Sequence, residues 1–311
     1  MRGRSLRARL IGCLTALLCG APSLFAAEPL PVEEIAPGVY LHQGPHEEAT
    51  RQNLGGFANV GFIVGEQAVA VIDSGGSAAH GMRLRAAIRA VTDRPIRYLV
   101  ITHMHPDHAL GSTAFAADRP TIVGHFKLAR ALAARGAHYL AGLQDAIGDL
   151  AAGTQAVPPS LTVEQSLTLD LGARRLRLTA HPTAHSDNDL TVFDEDSGTL
   201  WLGDLLFIER IPAVDGSLKG WLSVMEELRG WQAARAVPGH GPVSTNWPGA
   251  LDDQARYLGK LLAEIRAVIA RNGSIEEAVA SVAQDERGKW QLFEAYHARN
   301  IVTAFTELEW E

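Results

Sequence analysis

Three histidines and an aspartate crowd into "HMHPDH", residues 103–108, directly after the apolar run "IRYLVIT". A buried strand that empties into so many metal-seeking groups constrains this chain more than any other feature. Either other segments bring further ligands to that strand end, or the cluster is a His-rich surface turn. Spacing i, i+2 at the end of a strand puts His103 and His105 on one side, able to grip one ion. Asp107 and His108 then turn the other way and could serve a second. Two imidazoles do not complete a zinc site, which needs about four ligands. Candidates follow downstream, each at a strand end or in a loop: His185 in "HPTAHSDNDL", Asp204 in "LWLGDLLF" and His240 in "VPGHG".

The chain around these residues alternates strands and helices. After a Pro-rich lead-in, "GVYLHQG" alternates like a strand. "NVGFIVGE" and "AVAVIDSGG" read as a hairpin turning at Gly65-Glu66-Gln67. "SAAHGMRLRAAIRAV" has helical spacing with Ser77 as N-cap, and two alanine-rich helices are expected over 125–152. Strand periodicity returns from Pro159 to Pro182. "DLTVFDEDSGTLWLGDLLF" reads as a hairpin turning at Asp196-Ser197-Gly198. "LKGWLSVMEELRGW" is an amphipathic helix whose Trp and Leu residues form a core-facing stripe. "ARAVPGHG" is a last short strand, and 250–308 is mostly helical. Two successive blocks of strands and helices predict α/β layering. No repeat or linker divides the chain, so a single domain is expected over 28–311.

The first 27 residues read as a signal peptide. "MRGRSLRARL" carries four arginines and no acid, an apolar stretch follows, and small residues at Ala26-Ala27 close it. Periplasmic export is therefore expected. Both cysteines, Cys13 and Cys19, fall in this segment. A metal site in the mature chain must then use His and carboxylates, and no thiolate nucleophile is available. Losing four arginines takes the formal charge from −7 to −11. That balance argues against nucleic acid or an anionic membrane surface as partner. No later segment is apolar enough to span a bilayer.

The ordered set His-x-His-x-Asp-His, then His185, Asp204 and His240, resembles the metallo-β-lactamase superfamily over nearly the whole mature chain. The resemblance implies an αββα four-layer sandwich with metals at one edge of the two sheets. It implies that His103, His105 and His185 hold a first zinc, that Asp107, His108 and His240 hold a second, and that Asp204 bridges both. Two zinc ions, or other divalent metals, about 3.5–4 Å apart can share a hydroxide whose pKa falls toward ~7. Such a hydroxide attacks an electrophilic carbonyl or phosphoryl centre, and Asp107 can orient it or shuttle its proton. Asp73 in "VIDSGG" matches a position that supports the ligands from behind. It would equally serve as a turn-forming residue. His42, His46, His80, His125, His138, His181 and His297 lack such partners and are assigned no metal.

The superfamily hosts many hydrolyses, so fold alone does not name the substrate. A small ester, thioester, lactone or amide is expected. Zinc β-lactamases carry cysteine or serine where this chain has Asp204, which makes β-lactam hydrolysis the alternative. The ligand set is closer to type II glyoxalases, but their glutathione-binding pattern is not evident. "GDLLFIERIPAVDGSLKGWL" resembles exported zinc metallohydrolases of the quinoprotein relay system type, which implies a quinoprotein dehydrogenase as partner. A non-catalytic metal-binding accessory protein for quinoprotein maturation is the competing class. The loop from Phe207 to Gly220 is expected to wall the substrate pocket, with Arg210 and Lys219 as anion-gripping candidates.

Overall fold

Alternation along the strands sets the layers of this protein. In β4 (Val69–Ile72), Val69 and Val71 face one way, while Ala70 and Ile72 face the other. Each side meets a different apolar partner, so the strand is buried on both faces. The structure, a computed structural model, describes residues 27–311. The expected signal peptide, apart from Ala27, lies outside the described residues.

A seven-stranded sheet runs in the order β1 (Glu33–Ala36), β2 (Val39–His42), β3 (Val60–Val64), β4, β5 (Ile96–Val100), β6 (Thr121–His125), β7 (Leu161–Val163). The strands from β4 to β7 are parallel, and α1 (Ala78–Val91), the short α2 (Pro106–Ala109) with the 3₁₀ segment Leu110–Phe115, and α3 (Leu128–Ile147) make the three crossovers. A five-stranded sheet is ordered β12 (Arg235–His240), β11 (Thr199–Phe207), β10 (Leu190–Asp194), β9 (Arg175–Ala180), β8 (Ser166–Asp170). Within it β11 and β12 are parallel, joined through α4 (Leu218–Arg229).

Three apolar cores separate four layers. Ile63, Ile72 and Val100 from the first sheet pack on Leu178, Val192 and Trp201 from the second. Phe62, Val71 and Leu99 point outward onto Leu84 and Ile88 of α1 and Leu128 of α3. Leu200 and Leu202 point outward from the second sheet into a core with Trp221 of α4, Tyr257 of α5 (Asp252–Ala270), Ala278 of α6 (Ile275–Ser281) and Ile301 of α7 (Phe293–Leu308). The result is the expected αββα sandwich.

Local expectations fare unevenly. Ser77 caps α1, its hydroxyl accepting from the His80 N–H, and both expected hairpins form. Two helices over 125–152 do not form. Residues to His125 belong to β6, and a single helix runs through the buried Gly136, followed by only a short 3₁₀ turn at Gly148–Ala151. No helix among the described residues is long and apolar enough to cross a membrane.

Candidate metal centre

Parallel strands deliver their C-terminal ends to one edge, where the loops after β4, β5, β11 and β12 meet. β10 runs antiparallel to β11, so the 181–189 loop entering it arrives at the same edge. Leu190 N–H donates to the Thr102 carbonyl across the two sheets.

His103 and His105 lie just beyond the end of β5 rather than within it. His105 is the N-cap of a single helical turn, α2 (Pro106–Ala109), and Pro106 opens that turn with its φ already helical. The turn carries Asp107 and His108 to a separate cluster. His103, His105, His185 and Asp204 form one group of potential ligands, and Asp107, His108 and His240 form another. Within each group the ligand atoms lie within 4.8 Å of one another.

Tautomers decide what these groups can do. His105 Nε2–H donates to Asp215 Oδ2 at 3.0 Å, and His185 Nδ1–H donates to the Ala213 carbonyl at 2.7 Å. Thr102 Oγ1 gives its proton to Asp73 and so accepts from His103 Nδ1–H at 3.1 Å. His108 Nδ1–H donates to Asp73 Oδ2 at 2.8 Å, and His240 Nδ1–H to the Phe57 carbonyl at 3.2 Å. With every outer nitrogen a donor, each neutral ring turns a lone pair inward. His105 Nδ1 then lies 2.9 Å from His103 Nε2 and 2.8 Å from His185 Nε2. Lone pairs that close repel unless a cation sits among them.

Asp204 stands between the clusters. Its Oδ2 faces His185 Nε2 at 3.3 Å and His103 Nε2 at 3.6 Å. Its Oδ1 faces His108 Nε2 at 3.1 Å and His240 Nε2 at 3.4 Å. Burial raises the Asp204 pKa, but the fields of His240, His108, His103 and His185 outweigh it and hold the carboxylate well below its usual range. Burial also pushes Asp107 up. The charges of His108 and His240 outweigh this and leave it at about 2. Burial opposes charge on His108, yet Asp204, Asp107 and Asp73 together raise its pKa well above the ordinary value. These carboxylates demand a positive charge at that spot, and a divalent metal can replace the proton there.

Buried atoms confirm that the residues suit a metal. Asp107 Oδ2, His108 Nε2 and Asp204 Oδ1 have no hydrogen-bond partner, although such atoms normally find one. Nitrogen and carboxylate donors in groups of three and four suit zinc or a similar divalent ion. Gly239 keeps the space open, since a Cβ there would fall 1.9 Å from Asp204 Oδ1.

Several supporting residues escape a reading by sequence. Asp215 pairs with both His105 and Arg135 of α3, and these partners hold its pKa down against the effect of burial. Asn59 stitches the sheets together at this edge, donating from its side chain to the Pro238 and Gly241 carbonyls and accepting from Gly44 N–H. Asp189 accepts twice from Ser186 and shapes the His185 loop, and burial pushes its pKa up to about 7. Asp73, in contrast, was visible. It has a turn residue's positive φ and also supports His108 and Thr102. None of the seven histidines assigned no metal joins either group.

A cavity of about 530 Å³ opens over Asp107, Asp204 and His240. Phe207, Arg210, Val214 and Asp215 wall one side, as expected for that loop, while Arg135 and Tyr139 of α3 and Tyr296 and Arg299 of α7 supply the rest. Lys219 takes no part in this cavity. It pairs with Glu311 at 2.7 Å, because α4 turns it toward the C-terminus.

The family model of the metallo-beta-lactamase superfamily matches residues 54–240. A linear primary-alkylsulfatase from Pseudomonas sp. (strain ATCC 19151) is 23% identical over 220 residues, which is 59% of this chain. The chain spans about 41% of that relative's length. A metallo-beta-lactamase from Pontibacter korlensis superposes with a TM-score of 0.60 at 19% identity, over 74% of this chain and 99% of that one. The structure of TMB-1 superposes at 0.57 with 18% identity, over 75% of this chain and 98% of its own. At such identities the superpositions speak for the fold.

Proposed function

The chain belongs to the metallo-beta-lactamase superfamily, and from that premise we propose a dinuclear zinc hydrolase acting on a small ester, thioester, lactone or amide. The observation that carries this proposal is the placement of Asp204, with one oxygen toward each cluster. One ion would be held by His103, His105 and His185 and the other by Asp107, His108 and His240, with Asp204 shared. Metal there would supply Lewis acidity and make water more acidic at neutral pH.

The side chains carry out the remaining work. Asp107, held ionised by His108 and His240, turns Oδ2 to those two rings and lines the cavity, where its carboxylate can orient the attacking group or take up its proton. Asp215 and Asp73 fix the tautomers of His105 and His108, which keeps the inner nitrogens aimed at one point. Phe207 and Phe57 stack on the two sides of His240, at 5.1 and 5.8 Å between ring centroids, and shield it from water.

The Arg-rich start and Ala26-Ala27 support export to the periplasm, and the 203–222 stretch supports association with a quinoprotein dehydrogenase system. A second reading, cleavage of a linear sulfate ester, is favoured by the partial match to the alkylsulfatase. One experiment sorts these readings. The purified chain is stripped with a chelator, reloaded with zinc, and assayed on an ester, a thioester, a lactone, a β-lactam and a linear alkyl sulfate. Turnover that disappears with the metal and returns with about two zinc ions per chain is expected. Tight zinc binding with no turnover on any member would point instead to the accessory-protein class.

A further inference from the structure

One wall of the cavity is a stack of rings and cations. Phe207 lies on His240, His240 on Phe57, Phe57 on Arg210, Arg210 on Tyr296, and Tyr296 on Arg299. Successive centres are 5.1, 5.8, 5.0, 5.3 and 5.4 Å apart. The stack runs from a residue of the metal centre to the outer wall of the cavity.

Charge along this wall is not balanced. Arg210 is buried and donates to the Glu47 carbonyl at 3.0 Å, to Glu48 Oε1 at 3.3 Å and to Tyr296 Oη at 2.9 Å. Tyr296 Oη–H donates to the same Glu48 oxygen at 2.6 Å. Arg135 is matched by Asp215. Arg299 has neither an ion pair nor a hydrogen bond among the described residues. Two guanidinium groups thus share one tyrosine ring, and only that of Arg210 meets a carboxylate. Like charges gathered over an aromatic face leave a positive potential that an anion would offset.

The wall is also held in place before any ligand arrives. Ile211 N–H donates to the Gln291 carbonyl and Gln291 N–H to the Glu209 carbonyl, which ties the Arg210 segment to the start of α7. Asn300, one residue beyond Arg299, donates to the Pro212 carbonyl and accepts from Val214 N–H. Two segments pinned to each other present a preorganised surface, which lowers the entropy cost of binding.

We propose that α7 is the specificity wall of this cavity, with Arg299 receiving an anionic group of the substrate set apart from the bond that is cleaved. The substrate class is then a small ester, or related acyl compound, carrying a remote carboxylate or sulfonate. This deepens the hydrolase proposal and rests on it. Glu48, Tyr296 and Arg299 all lie outside residues 54–240, the segment that the family model matches.

Binding and turnover are measured separately. Pentane-1-sulfonate and pentan-1-ol are titrated calorimetrically into the zinc-loaded full chain at low salt. The wild type should bind the sulfonate at least about tenfold more tightly, a modest figure for a charge-assisted contact open to solvent. Arg299→Gln should remove that preference, Arg299→Lys should restore most of it, and Lys219→Gln should leave it unchanged. A wild type that shows no preference, or an Arg299→Gln variant that keeps it, overturns the proposal. In parallel, kcat and KM are measured for 4-nitrophenyl hydrogen glutarate and 4-nitrophenyl pentanoate. Arg299→Gln should raise KM for the anionic ester about tenfold, with kcat and the neutral ester little changed. If the wild type cleaves neither ester, the ester reading of the site fails, and the sulfonate titration still decides the role of Arg299.

Discussion

Asp204→Asn is the most searching perturbation of the proposed centre. The substitution keeps the size of the side chain but removes its negative charge. It also turns an amide NH₂ toward one pair of inward-facing imidazole nitrogens, which lie 3.1–3.6 Å from the carboxylate oxygens. One cluster is left with three imidazoles, His103, His105 and His185, and the other with Asp107, His108 and His240. Three imidazoles still make a recognised zinc site, whereas the second group loses half of its carboxylate charge. The variant should therefore retain about one zinc where the wild type retains about two.

Stability provides a readout that needs no substrate. Free zinc at about a thousand times Kd stabilises a protein by roughly 4 kcal/mol per site, or roughly 8 kcal/mol for two. At about 2 °C per kcal/mol for a chain of this size, zinc should raise the wild-type Tm by about 16 °C. Asp204→Asn should show about 8 °C or less. Partners behind metal ligands are worth about 10–100-fold in activity, so losing a shared ligand should cost at least about a hundredfold in kcat/KM. Metal analysis after gel filtration, thermal melts with and without zinc, and turnover of the best substrate check the three figures. Two tightly held zinc ions and near wild-type turnover in the variant would refute the dinuclear reasoning.

Three other perturbations probe how the site and the fold are built. Gly239→Ala puts a Cβ where Asp204 Oδ1 now lies, so it should displace the carboxylate and lower zinc content toward one while the far-ultraviolet circular dichroism stays native. Asp215→Asn leaves a weaker acceptor for His105 Nε2–H and frees Arg135, and competition with a chelator should show zinc affinity falling about 10–100-fold. Glu286, buried among Arg256, Lys289 and Trp290, has its pKa lowered to about 2, because those hydrogen bonds outweigh the effect of burial. A depressed carboxylate stabilises the fold above its unfolded value of about 4.5 and loses that contribution as pH falls toward 2. Glu286→Gln should then be less stable than wild type by up to about 3 kcal/mol at pH 7, with the gap closing between pH 4.5 and 2 in denaturant titrations.

Much of this architecture was legible because it rests on period and order. Val69 to Ile72 and Thr199 to Phe207 are buried throughout and mostly apolar, as strands covered on both faces are. Most of the ligand-type residues fall at the ends of such runs, and in parallel strands those ends share an edge, whereas Asp204, expected at a strand end or in a loop, lies inside β11. What escaped depends on tertiary neighbours. Asp215 sits in a loop without periodicity, and its importance comes from His105 and Arg135, which lie 110 and 80 positions away. Asn59 looks like an ordinary turn residue before β3, yet its amide joins carbonyls near residue 240. Lys219 and Arg210 share one loop and one charge, but the first turn of α4 carries Lys219 out of the cavity while Arg210 is stacked into it.

That divergence explains why family membership and substrate choice separate in this chain. Every residue of the two clusters lies between 103 and 240, inside the matched segment, on β11, on β12 or on the loops that the sheets fix. Tyr296 and Arg299 come from a helix packed on the outer face of the second sheet, where register is set by Ile301, Ala304 and Phe305 against the core. Cavity-facing positions on α7 can change without disturbing that register, because Phe293, His297, Ile301, Ala304, Phe305 and Leu308, which recur at helical spacing on the other face, hold the buried side. Substrate charge preference should therefore respond to substitutions at 296, 299 and 303 while zinc content stays constant. A loss of zinc on substituting Arg299 would mean that the wall and the centre are mechanically one unit, contrary to the separation argued here.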